Sequence, residues 1–276
     1  MEDYKGFREI NWTDERAQAV FASPCPNVFG CLMNEYLILR DDEGTASMIL
    51  RCDGDTMSVV KTNTPIKSAY GGEIKPRNEY QKMAIDMLRN PESTVKVLTG
   101  PFGSGKDLLM LNTALELIEK DRFEKIVYVR NNVEVKDSKP IGFLPGTSND
   151  KLHPFVMPIV DHVGGEEGLA HLLSRGIIEI AHLGFMRGRD IRNAIIYCTE
   201  GENLTRQHVA LMLGRVAEGS ELWINGDLKQ CDGKIFAQDN GLSAAVEKLK
   251  GNRLFSHVRL MKTERSETAA LADLLD

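Results

Sequence analysis

Val95-Lys96-Val97-Leu98-Thr99-Gly100-Pro101-Phe102-Gly103-Ser104-Gly105-Lys106-Asp107 is the stretch whose reading decides the fold. A short apolar run ends in a glycine-rich turn, and Leu108 to Glu119 then carries helical periodicity. Gly100 to Lys106 has the spacing G-x-x-x-x-G-K. Between a strand and a helix, that spacing lets backbone N–H groups turn inward around a polyphosphate. The helix presents its positive end to the same anion. Gly100, Pro101, Phe102, Gly103, Ser104, Gly105, Lys106 and Asp107 are therefore candidate phosphate-binding residues, with Lys106 reaching the β- and γ-phosphates. A plain glycine-rich turn is the alternative.

Outward from this loop, short apolar strands alternate with helices. A helix opens at Asn78-Glu79-Tyr80-Gln81 and runs to about Arg89. Ile126–Val129, Ile177–Ala181, Ala194–Cys198 and Leu222–Asn225 read as buried strands, and Val258–Met261 as an edge strand. Gln207–Val216 and Leu242–Leu249 read as helices. This alternation predicts an α/β domain over residues 67–276, with a parallel sheet covered on both faces. Residues 1–66 differ. Glu35–Arg40, Thr45–Arg51 and Met57–Lys61 are β-prone runs separated by glycine-containing turns, which predicts a small β-rich domain. An irregular arm is the alternative there.

Composition sets the outer bounds. The 276 residues are 42% hydrophobic and 27% charged, ordinary for a globular protein. No apolar run reaches membrane-spanning length, and Met1 to Lys5 does not open a signal peptide. Five cysteines without C-x-x-C spacing read as reduced thiols in a cytoplasmic protein, not as a metal site. A net charge of −6 argues against a protein basic all over, while leaving room for a local basic patch.

Two positions depart from the usual nucleotide motifs. Position 107, where Ser or Thr would place a hydroxyl on Mg²⁺, is Asp. Ala194-Ile195-Ile196-Tyr197-Cys198, which should end in Asp-Glu, ends in Thr199-Glu200. One acid and one alcohol are thus exchanged. Carboxylates are good Mg²⁺ ligands, so Asp107 with Thr199 forms a candidate metal pair. Decay of the site, with Asp107 repelling phosphate, is the alternative. Glu200 remains as the candidate water-activating base.

The ordered motifs Pro76-Arg77-Asn78-Glu79-x-Gln81, the glycine loop, Arg130, Gly142-Phe143-Leu144-Pro145-Gly146, Met186-Arg187-Gly188-Arg189, Glu200-Gly201-Glu202-Asn203 and Gly226-Asp227-x-x-Gln230 carry a family resemblance. With them the chain resembles a PhoH-family ATPase from about Val28 to its C-terminus. Val28–Lys67 is similar to the segment between the PIN nuclease and ATPase modules of two-domain members. The residues before Val28 are too few for a PIN module, so no nuclease activity is expected.

The resemblance implies a RecA-like P-loop NTPase core, ATP and Mg²⁺ as cofactors, hydrolysis, action on RNA or single-stranded nucleic acid, and a homo-oligomeric, hexameric ring. It departs where the usual Asp-Glu-Ala-Gln-Asn reads Thr199-Glu200-Gly201-Glu202-Asn203, and where Asn131 replaces a proline after Arg130. It places Gln81 as an adenine reader, although Asn78-x-x-Gln81 is also a capping box. Gln230 resembles a γ-phosphate sensor or is a polar loop residue. Arg187, Arg189 and Arg265 are candidates for a transition-state arginine or are surface charges. The expected activity is Mg²⁺-dependent ATP hydrolysis, with Lys106, Glu200, Gln230 and Arg265 as catalytic residues. A hydrolysis-impaired regulatory or assembly module is the first rival and a small-molecule P-loop kinase the second.

Overall fold

The computed structural model describes residues 3–61, 64–131, 156–230 and 234–264. Arg265 and the Gly142–Gly146 motif, both singled out above, lie outside the described residues, as does Cys231, one of the five cysteines.

A six-stranded sheet forms the α/β part, in the order β10-β9-β11-β12-β8-β13. Its strands are β8 (Val95–Thr99), β9 (Lys125–Arg130), β10 (Ile178–Ala181), β11 (Ala194–Thr199), β12 (Glu221–Gly226) and β13 (Phe255–Arg259). All run parallel, as the strand–helix alternation predicts. Every residue of β8, β11 and β12 is buried, because helices screen both faces. β13 starts three residues before the expected strand. Ser256 and His257 break the apolar pattern there, yet both are buried, with Ser93 and Thr99 as hydrogen-bond partners.

The chain divides into two compact units, Met1–Pro65 with Lys75–Ser104 and Val246–Asp276, and Ile66–Ile74 with Gly105–Ala245. The first contains a five-stranded sheet, β1 (Phe7–Asn11), β3 (Tyr36–Arg40), β4 (Ala46–Cys52), β5 (Thr56–Val59) and β2 (Cys25–Pro26), in that spatial order. β3, β4 and β5 form the antiparallel meander that their turns predict. β1 pairs in parallel with β3 and was not expected, because Phe7–Asn11 exposes most of its side chains and lacks an apolar run. Leu37, Leu39, Leu50, Cys52 and Met57 pack with Ala17, Val20 and Phe29 as this sheet's core.

The same unit holds helix α1 (Glu79–Arg89), amphipathic by sequence and capped by the Asn78 side chain. In the second unit, a two-stranded ribbon of β6 (Ile66–Ser68) and β7 (Gly72–Ile74) packs on helix α2 (Lys106–Glu119). No helix among the described residues is long and apolar enough to cross a membrane.

Candidate functional site

The glycine loop has the backbone that phosphate cradling demands. Gly100, Gly103 and Gly105 all have positive φ, at 153°, 67° and 92°. A Cβ on Gly100 would lie 2.7 Å from the Leu260 carbonyl oxygen, so no side chain fits there. Ser104 closes the turn by donating its N–H and hydroxyl to the Pro101 carbonyl, at 3.4 and 2.8 Å. Gly105 is the N-cap of α2 and supplies no side-chain cap, which leaves first-turn N–H groups for an anion. Lys106, half-buried, is the first residue of that helix.

Loop and α1 are braced within the first unit. Gln81 is buried, donates Nε2–H to the Ser104 carbonyl at 3.0 Å and accepts the Arg77 N–H at 2.9 Å. Half of the expected capping box is present, since Asn78 Oδ1 accepts the Gln81 N–H at 3.0 Å. The reciprocal arm reaches Arg77 instead of Asn78. Glu264 extends the brace, donating its N–H to the Gly103 carbonyl at 2.9 Å and accepting Asn78 Nδ2–H at 2.6 Å. Thr263 donates its hydroxyl to the Phe102 carbonyl at 3.4 Å.

In the second unit, the two exchanged residues meet. Thr199 Oγ1 lies 3.1 Å from Asp107 Oδ1 and 3.0 Å from Asn225 Oδ1. Asp107 Oδ1 also accepts the Tyr197 hydroxyl at 2.5 Å and Asn225 Nδ2–H at 2.8 Å. Asn225 further donates to the Tyr197 oxygen at 2.9 Å, which closes a polar ring of four side chains. Burial, reinforced by the Asp107 charge, pushes the Tyr197 phenol well above its ordinary value and keeps it a donor. Sequence reasoning named Asp107 and Thr199 but missed Tyr197 and Asn225 as their partners. Tyr197 lies two residues before Thr199 on β11, hence on the same face, and this period-two signal was available. Asn225 lies on β12, whose register beside β11 no single sequence discloses.

Glu200 sits just past β11 in the left-handed conformation, with φ 55°. The parallel register sets Thr199 beside Arg130, the last residue of β9. Arg130 then grips both carboxylate oxygens of Glu200, Nε to Oε2 at 3.0 Å and Nη2 to Oε1. The motif containing Arg130 was recognised, but not this bidentate pair. Glu202 is buried, and its Oε2 accepts the Asp227 N–H at 3.0 Å. Burial, with the nearby Glu200 charge adding to it, pushes its carboxyl up to about 7. Gln230 is half-buried and donates its N–H to the Asp227 carbonyl at 3.3 Å. Arg189 pairs with Glu179 at 2.6 Å, whereas Arg187 is exposed.

An all-parallel α/β sheet whose strand-to-helix loop has this backbone defines the P-loop nucleotide-binding class. The family model described as PhoH-like protein matches residues 73–272, and the chain belongs to that family. It is 35% identical over 253 residues to Protein PhoH2 of Bacillus subtilis, covering 88% of this chain and 56% of the relative. Protein PhoH2 of Thermobispora bispora is 30% identical over 234 residues, covering 82% and 54%. A PhoH-like protein of Bacillus subtilis is 31% identical over 213 residues, covering 76% and 65%. The chain spans about half the length of the PhoH2 relatives.

Proposed function

We propose that this chain binds ATP at the Gly100–Asp107 loop and hydrolyses it with Mg²⁺, coupled to RNA or other single-stranded nucleic acid in a homo-oligomeric ring. The observation that carries the reading is the loop backbone, three positive-φ glycines leading into an uncapped helix headed by Lys106. Lys106 offsets charge on the β- and γ-phosphates. Gln230 senses the γ-phosphate. Gln81 reads adenine by exchanging its present partners, Arg77 N and the Ser104 carbonyl.

The donor chemistry around Asp107 suits Mg²⁺. Tyr197 and Asn225 donate to Oδ1, and the single Thr199 hydroxyl proton is placed between that oxygen and Asn225 Oδ1, while Oδ2 takes no hydrogen bond among the described residues. One open carboxylate oxygen beside a threonine hydroxyl is a sparse, hard-oxygen set, the kind an ion that keeps most of its waters accepts. Asp107 would hold the ion and Thr199 the outer-shell hydrogen bond. The ion would supply positive charge to offset the negative charge that develops on the phosphates. Tyr197 and Asn225 fix the Asp107 rotamer.

Glu200 orients water. Arg130 sets the direction of its carboxylate, and each oxygen retains a lone pair for that water. A single RecA-like core forms only one wall of a helicase-type site. A neighbouring subunit then supplies the arginine, an element worth about 10³–10⁵ in rate elsewhere. Arg265 would serve.

The same Arg130–Glu200 pair favours a second reading, a nucleotide-dependent regulatory or assembly module that turns over poorly. Both readings bind ATP, so titration with a fluorescent ATP analogue tests the loop they share. In either reading Lys106→Ala abolishes binding, unlabelled ATP competes better than GTP, and Gln81→Ala erases that preference. Equal binding by wild type and Lys106→Ala would refute the assignment of the loop.

A further inference from the structure

Phe185 is the most exposed large apolar side chain among the described residues, at 80%. It stands on a short 3-10 turn, Leu183–Phe185, that follows β10. The turn is anchored. Leu183 and Met186, on either side of it, are buried at 5% and 0%. His182 Nδ1 accepts the Gly184 N–H at 3.0 Å, and the Phe185 N–H reaches the His182 carbonyl at 2.9 Å. The His182 ring leans on Phe185, with centroids 5.7 Å apart. Met186 and Arg189 N–H groups bond back to the Leu183 and Met186 carbonyls at 3.2 Å each. The phenyl ring is therefore held outward by a fixed backbone.

Its surroundings are cationic. Residues 182–192 carry three arginines against one aspartate, in a chain of net charge −6. Arg189 is occupied by Glu179 at 2.6 Å, and Arg192 pairs with Asp190 at 2.9 Å. Arg187 is exposed, two residues from Phe185, and makes no ion pair or side-chain hydrogen bond among the described residues. Gly184, Arg187, Gly188, Asp190 and Arg192 are the exposed neighbours in sequence, and none has an apolar side chain. A protein-docking patch clusters apolar side chains. A lone aromatic beside an unpaired cation instead matches a base stacked on a ring with its phosphate on the arginine.

The turn leaves the carboxyl end of β10, the same end of the parallel strands as Arg130, Glu200 and Asp227. Ligands of open α/β sheets bind at that end. We infer that Leu183–Arg189 is a contact for single-stranded nucleic acid, with Phe185 stacking one base and Arg187 holding an adjoining phosphate. This rests on the reading of the chain as an ATPase coupled to such a strand.

The test is fluorescence anisotropy of a labelled oligouridine with the whole chain, with and without ATP, over a salt series. Phe185→Ala should weaken binding by about 5- to 100-fold and Phe185→Trp should restore it. Arg187→Ala should reduce the slope of log affinity against log salt by about 0.7. Phe185→Ala should not move the thermal midpoint or binding of the ATP analogue. If wild type binds oligouridine and Phe185→Ala binds it equally well, the platform is wrong while nucleic-acid coupling stands. A Phe185→Ala protein with altered mass by light scattering and unaltered oligouridine affinity would make the residue a subunit contact instead. Should wild type bind no single strand in either nucleotide state, the coupling itself fails and the platform with it.

Discussion

Replacing Glu202 by glutamine should stabilise the protein, and only above mildly acidic pH. The Glu202 carboxyl is buried, accepts the Asp227 N–H at 3.0 Å, and ionises near 7 instead of its ordinary 4.5. Between those values the folded chain keeps a proton that the unfolded chain releases. A raised carboxyl therefore contributes no penalty below about pH 4.5 and an increasing one as pH rises to about 7, after which the penalty is constant. The difference between the ordinary 4.5 and about 7 corresponds to about 3 kcal/mol. Glutamine keeps an oxygen for the Asp227 N–H and carries no charge. The Asp-Glu-Ala-Gln-Asn pattern of the family resemblance has glutamine at this place. Urea unfolding of wild type and Glu202→Gln at about pH 4.5, 6 and 8 reads the difference. It should be near zero at the lowest pH and approach about 3 kcal/mol at the highest. A difference that is constant across pH, or a variant less stable at high pH, would refute the reasoning.

The remaining predictions concern the polar ring and its support. Asp107→Thr and Thr199→Asp should each weaken Mg²⁺-dependent binding of a fluorescent ATP analogue, and the double variant should recover it; strictly additive losses would mean the two residues do not share an ion. Gly201→Ala should destabilise by about 1–3 kcal/mol in urea, because its Cβ would lie 2.6 Å from Ile224 Cγ2 and 2.9 Å from the Asn225 carbonyl oxygen. Unchanged stability there would show that the Gly201 backbone is free to move away from β12.

How much of this was legible depends on whether the signal was local. β8 is the expected Val95–Thr99, and β11 ends one residue beyond the expected Ala194–Cys198, because continuous apolar runs mark buried parallel strands. α2 begins two residues earlier than its apolar period, since Lys106 and Asp107 are polar and periodicity does not register them. β1 escaped notice because it is half-polar and pairs with a strand remote in sequence, and the β6–β7 ribbon because its two strands are only three residues each. The reciprocal change at positions 107 and 199 was visible as chemistry, and the two side chains do meet. The bidentate grip of Arg130 on Glu200 and the place of Asn225 beside Asp107 were not visible. Each depends on which strands lie side by side, and a sequence read alone contains no strand order.

The most direct measurement is steady-state release of phosphate from ATP with Mg²⁺, with and without single-stranded RNA, against Glu200→Gln as the blank. Release above that blank, requiring Mg²⁺ and increased by RNA, is the predicted result. ATP binding with release no greater than the blank would contradict hydrolysis at this site and leave the Arg130–Glu200 pair as the lock of a nucleotide-dependent assembly module.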